Sequence, residues 1–451
     1  MKNFSITPTD ENALDLLAKN PINRNASVTR FIKLIDSVEG NCSIALNGEW
    51  GSGKTMFVKQ VKLVMDFNNP HSKLSERESL SSRVEFLSDT SCYASYSTVY
   101  YDAWENDKHD DPLLSLIYAA ISSNQSKFDI TNNRSLVGVL GALVDVVSER
   151  SISDILRQAK GDDPLKLIKE KNDINTLVRQ FLDALILEKG NRLVIFIDEL
   201  DRCRPNYAIQ LLERIKHYFD DERITFIFSV NLSQLQHTIK TYYGPSFDAT
   251  RYLDKFFDLR VAMPPVDYNR FLDYKFSFVK SGGMYNEMCI HVIQYFSFSL
   301  RETERYLQIV KIAGHNASNP PHFWDGTALY FATVHFVPIL IGLSMTDLES
   351  YKRFILGQKE DILYGLLDGM GDYMLFDLLD ISYRNTEPGT DIVEEAKNKI
   401  MEIYRTLFSP NGFNFEKRKQ IGRMTFSEST RNGLMEIVSL LAPNANYEIE
   451  I

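Results

Sequence analysis

The sequence predicts an α/β fold, a parallel sheet sandwiched by helices, followed by a mostly helical C-terminal region. Three observations lead there. Short runs that are largely apolar, "CSIAL" (42–46), "STVYYDAW" (97–104), "RLVIFIDELDR" (192–202) and "ITFIFSVN" (224–231), alternate with segments of helical periodicity. A glycine-bounded turn, "GEWGSGKT" (48–55), separates the first run from a helix, and beyond "MPP" (263–265) helical patterns dominate. Strands that are apolar along their whole length are covered on both faces, which is the mark of parallel sheets.

Residues 8–40 read as helical, with apolar positions three and four apart in "ALDLLA" and "VTRFIKLIDSV". "KTMFVKQVKLVMDF" opens the helix after the turn, with Val58, Val61 and Val64 on one side. The polar stretch 68–83 reads as an exposed loop. "DDPLLSLIYAAISS" begins with Asp-Asp-Pro, as helix N-termini prefer. The span 122–170 is weakly patterned and reads as an insertion; a helix over "NDINTLVRQFLDALILEKG" then leads into the third strand. The expected domains are 1–262, with that insertion, a helical lid-like segment 263–330 and a helical domain 331–451.

Composition bounds the function. The chain has 451 residues and a net charge of −10, which argues against a whole-molecule grip on nucleic acid. The basic run "EKRKQIGR" (416–423) reads as a solvated helix face. Four scattered cysteines and eight histidines show neither disulfide nor metal spacing, and no apolar leader follows a basic head, so a reducing cytoplasm is expected. The apolar stretches 136–147 and 328–344 are short or interrupted, the first by Asp145 and the second by His335 and Pro338. A spanning helix wants about 20 apolar residues, so both read as buried core helices.

The turn fits G-x-x-x-x-G-K-[ST], with a strand before it and a helix after it. Consecutive backbone N–H groups must approach phosphate oxygens, so glycines stand where a Cβ would collide. The next helix adds unpaired N–H groups and a positive dipole end. Gly48, Glu49, Trp50, Gly51, Ser52, Gly53, Lys54, Thr55 and Met56 are therefore the expected ATP-binding residues. Lys54 supplies a charge for the β and γ phosphates, and the Thr55 hydroxyl a ligand for Mg²⁺.

An acid is then needed at a neighbouring strand end to hold the Mg²⁺ shell. Asp198 is the first acid after four apolar residues and is the candidate metal residue with Thr55. Glu199 is the candidate to orient the attacking water, and Asp201 is its rival. Asp201 with Arg202 also reads as a structural ion pair shaping the turn.

"GEWGSGKT", "VYYDAWEN", "FIDELDRCRP" and "RYLDKFFDLRVAMPP" together resemble a KAP-type P-loop NTPase, over roughly residues 10–310. The resemblance implies the P-loop core of the AAA+/STAND branch. It implies a packing role for Trp50 beside the phosphates, with base stacking the other reading, and Trp104 reads as a core plug. Many relatives carry transmembrane helices between loop and acid. Here the 144 positions from Lys54 to Asp198 hold no spanning stretch, so the chain resembles a soluble bacterial member. Asn231 resembles a sensor-1 residue at a place where many relatives have Asp, and reads equally as a helix N-cap. Arg301 resembles a sensor-2 arginine, and Arg251 a finger acting on a neighbouring subunit. The resemblance further implies an ATP-dependent homo-oligomer, partner proteins encoded alongside, and a place in anti-phage defence. An ATP-gated scaffold with little turnover is the alternative, and a small-molecule kinase a third class.

Overall fold

The computed structural model describes residues 7–70, 84–89, 95–109, 111–122, 178–183, 192–276, 283–318, 326–368, 392–410, 418–422 and 424–439, with positions 80, 176, 412 and 413. Of the expected insertion 122–170, residues 123–170 lie outside the described residues, as do the apolar stretch 136–147 and Trp324. The chain divides into two compact units, Ile6–Arg270 and Phe271–Ile451.

In the first unit, helices α1 (Asp10–Lys19) and α2 (Asn25–Ser37) precede strand β1 (Cys42–Asn47) and helix α3 (Lys54–Asn68). Strands β2 (Tyr96–Asp102), β3 (Arg192–Asp198), β4 (Ile224–Val230) and β5 (Leu259–Ala262) complete a parallel sheet of order β2-β3-β4-β1-β5. The core lies on both of its faces, because successive side chains of a strand point to opposite sides. Ile195, Ile197, Phe226 and Phe228 join one cluster with the helices Pro112–Ser122, Pro205–Tyr218 and Leu232–Tyr243. Val194, Phe196 and Ile227 join the other, with Phe31 and Ile35 of α2 and Val58, Val61 and Val64 of α3.

Local chemistry sets the element ends. Asp111 Oδ1 accepts from the amides of Leu113 and Leu114 at 2.8 and 3.3 Å, capping the helix that begins at Pro112. β2 stops at Asp102, so Trp104 stands in a turn and is half exposed rather than a core plug. β5 carries the mostly exposed sequence Leu-Arg-Val-Ala at the sheet edge, and its register against Ile44–Asn47 is fixed by backbone bonds rather than by an apolar run.

The second unit is helical around Gly326–Thr346, which packs against the helices Gly283–Tyr295, Leu300–Ser318, Leu348–Phe354 and Glu428–Ser439. By length and composition its stretch Ala328–Thr346 could cross a membrane, contrary to the reading of 328–344 as too interrupted. Within the fold 78% of that stretch is buried, as expected of a core helix. His335 lies inside it, and burial pushes its imidazole down to about 4, so it sits neutral with Nδ1 2.8 Å from the Phe331 carbonyl. The basic run is no helix face: Arg418–Ile421 (β6) pairs antiparallel with Met424–Ser427 (β7), turning at Gly422 with φ 61°.

Candidate functional site

The loop 48–53 leaves the C-terminal end of β1 and enters α3, in the crevice where open α/β sheets take ligands. Gly51 and Gly53 have φ of 80° and 86°, a region that a side chain makes costly. A Cβ on Gly48 would stand 2.8 Å from Met263 Cβ, so the loop needs glycine there for close approach. Lys54, almost fully buried, donates from Nζ to the carbonyls of Gly48 and Glu49 at 2.7 and 3.1 Å. Burial lowers its pKa, while Asp201, Asp198 and Glu199 act to raise it. The ammonium is thus held against the loop from inside and faced by three carboxylates.

Asp198 ends β3 and is 1% exposed. Tyr100 Oη of β2 donates to its Oδ2 at 2.9 Å and the Glu199 amide donates to Oδ1 at 3.0 Å, while the hydroxyls of Ser229 and Thr55 lie near enough to favour its charged form. Burial raises the Asp198 pKa against those bonds. The two residues expected to hold Mg²⁺ are therefore neighbours. They offer two oxygen ligands, which suits a cation that keeps waters and phosphate oxygens in its shell. Among the described residues no cluster of three or more His, Cys, Asp or Glu could hold a metal by itself.

Glu199 adopts a left-handed backbone, φ 59° and ψ 24°, which turns the chain sharply at the strand end. Its carboxylate is ion-paired with Arg202 Nε. Burial, and then Asp198, push its pKa up to about 6, with Arg202 opposing. The expected Asp201–Arg202 pair is not formed. Asp201 instead accepts from Trp50 Nε1 at 2.7 Å, and Arg202 pairs with Glu199. Trp50 is 47% exposed, so it is a hydrogen-bonded tether from the loop to the turn after β3 rather than a buried wedge.

Asn231 is the helix N-cap of one of its readings. Its Oδ1 accepts from the amides of Ser233 and Gln234, capping the helix Leu232–Tyr243, while its Nδ2 donates to Glu49 Oε2 at 3.0 Å. Ser52 Oγ in the loop is buried without a hydrogen-bond partner among the described residues, a polar atom fit for a phosphate ligand. Met56 continues α3. Arg301 stands exposed in the first turn of the second unit's helix Leu300–Ser318, and Arg251 is exposed in the helix Ala249–Leu253.

Arg24 is the residue that sequence patterns missed. It is 3% exposed, and burial lowers its pKa to about 10. Its Nη1 donates to the Ser52 carbonyl at 2.9 Å and its Nη2 to the Pro264 carbonyl at 2.7 Å. One guanidinium thereby fastens the middle of the loop to the segment after β5.

Loop, buried lysine, Thr55–Asp198 pair and adjacent Glu199 form one constellation of phosphate and cation ligands. Comparison with curated proteins gives no match. Residues 24–315, well over half of the chain, match the KAP family P-loop domain, and the chain belongs to the KAP family of P-loop NTPases.

Proposed function

We propose that this protein binds ATP with Mg²⁺ and hydrolyses it. The observation that carries this reading is buried Lys54, bound from inside to the loop carbonyls of Gly48 and Glu49, with Thr55 next to it in sequence and the buried strand-end acid Asp198 acting on its charge. A helix-opening hydroxyl lies near a strand-end acid where a phosphate-bound cation needs both. The Lys54 ammonium and the amides opening α3 bind and orient the phosphates. Mg²⁺, held by Thr55 and Asp198, would neutralise charge on the terminal phosphates. Tyr100 fixes the Asp198 carboxylate through its 2.9 Å bond. Glu199 orients the attacking water, with Asp201 committed to Trp50. Asn231 sets the loop through Glu49 and acts on the terminal phosphate region as a sensor; Arg301 is proposed as a second sensor.

A cleft of about 640 Å³ between α2 and the segment Val261–Asp267 supports a nucleoside ligand. Phe31, Leu34, Val261 and Pro264 give it apolar walls, and Arg24 ties Pro264 to the phosphate loop. Phosphate release from ATP without any added acceptor, abolished in Lys54→Ala, tests the reading against both a scaffold and a kinase. Wild-type turnover in Lys54→Ala would sink it.

A second reading, an ATP-gated assembly with little turnover, is favoured by one observation: Glu199 is tied to Arg202. Burst and steady-state phosphate release separate the two. Action in the cytoplasm, as an ATP-dependent homo-oligomer beside co-encoded partners in anti-phage defence, rests on the family resemblance. Particle mass with and without ATP tests the oligomer.

A further inference from the structure

Glu199, Arg202, Trp50 and Trp104 form a chain of contacts beside the phosphate loop. Arg202 Nε pairs with Glu199, and its Cζ lies 5.7 Å from the Trp50 ring centroid and 5.5 Å from that of Trp104. The two ring contacts are weak. A cation over an exposed ring gains about 0.5–1 kcal/mol. The ion pair spans three positions of a tight turn, and its side chains are mostly buried, 18–23% exposed. The guanidinium is also close enough to the loop for its charge to act on Lys54. A planar fork of donors near a phosphate loop has a better partner available than one shared carboxylate, namely a terminal phosphate with its oxygens.

We propose that Arg202 exchanges partners: without a triphosphate it holds Glu199, and with one it takes the terminal phosphate and releases Glu199 to the water. The proposal rests on the reading of the site as a nucleoside-triphosphate site. While paired, the Glu199 carboxylate spends its acceptor capacity on a cation. Once freed, it can take hydrogen bonds from water. The transfer itself then balances: the water oxygen bonds to the terminal phosphorus, the bridge to the β-phosphate oxygen breaks, and the water proton passes through Glu199 to solvent. A diphosphate lacks the group that attracts Arg202, so Glu199 stays held after hydrolysis. Arg202 thus reads the length of the phosphate chain. Its departure from the two indole rings gives that reading an optical signal.

The test uses the full chain in a Trp324→Phe background, with Mg²⁺, ADP and a non-hydrolysable ATP analogue. Calorimetric titration of the parent should show the triphosphate bound more tightly, and Arg202→Ala should cut the triphosphate-to-diphosphate affinity ratio about tenfold, as expected on losing one charge-assisted contact. ADP affinity should hold within about twofold, and Arg202→Lys should recover part of the ratio. Indole emission in the parent should shift with the triphosphate and not with ADP. An unchanged ratio in Arg202→Ala overturns the proposal, even if turnover rises, because Arg202 would then be a latch and no sensor. Loss of both ligands overturns it as well, since it marks a structural role. Should Arg202→Ala not fold, equal emission shifts with both nucleotides overturn it. Failure of the underlying reading looks different: Lys54→Ala would bind both nucleotides as the parent does.

Discussion

Trp50 Nε1 and Asp201 Oδ2 stand 2.7 Å apart and join the phosphate loop to the turn after β3, across 151 positions of sequence. Half of the indole faces solvent while its N–H reaches a carboxylate that is 6% exposed. The bond therefore matters more than the packing of the ring.

Trp50→Phe keeps a ring and removes the donor. It is expected to cost about 1–3 kcal/mol of stability, because a buried acceptor is left short of a partner. Urea unfolding of Trp50→Phe, Asp201→Ala and the double variant checks this. Strictly additive losses would mean that the two residues are not coupled.

Arg24→Met should loosen the loop from the segment after β5. Two hydrogen bonds from a charged donor are lost, on the order of 3 kcal/mol in all. Nucleotide affinity should fall with it, and Arg24→Lys should restore only part, since an ammonium cannot span both carbonyls as a fork does. Thermal melting with and without ATP measures both effects. An unchanged melting temperature in Arg24→Met refutes the fastening role.

Glu199 gives a pH signature. Its folded pKa, about 6, lies above the ordinary 4.5, so folding favours its protonated form. The stability it lends is full below about pH 4.5 and is lost as pH rises through 6, by about 2 kcal/mol. The difference in unfolding free energy between wild type and Glu199→Gln should follow that window. Turnover runs the other way, falling as pH drops through 6, because the water needs an ionised acceptor. Glu199→Gln should bind ATP and hydrolyse it slowly at every pH. A wild-type rate in Glu199→Gln beside a dead Asp201→Asn moves the role to Asp201.

Gly342 probes the long apolar helix. A Cβ there would meet Val292 Cγ1 at 2.6 Å and Phe296 at 3.2 Å. Valine is stiff, so Gly342→Ala should destabilise the second unit by about 1–3 kcal/mol in detergent-free buffer. A neutral result would count against this helix being packed in a protein core.

The sheet core and the acid strand were legible because β3 is an apolar run ending in Asp198, and the glycines with Lys54 and Thr55 between strand and helix marked the loop. β5 was not legible: four edge residues, three of them exposed, carry no apolar pattern. The hairpin β6–β7 hid inside a run whose charges matched a helix surface equally well. Trp104 was misread because its neighbours favour a strand that in fact ends at Asp102. Arg24 left no trace, since its partners are backbone carbonyls 28 and 240 positions away and any residue type supplies those. The Glu199–Arg202 pairing needed the left-handed turn at Glu199, which three-residue spacing does not announce.

β4 lies between β1 and β3, so loop and acid hang from strands that never bond to each other. Their separation is about two strand spacings, near 10 Å, and is imposed by the width of β4. The chain joining them contributes α3 and β2 to the same core and sheet. A segment spliced into this interval outside α3, β2 and the helix Pro112–Ser122 leaves that spacing in place, provided those elements still pack. The ruler of this site is a strand that comes after both of its ends in the sequence, which leaves the rest of the interval free to diverge.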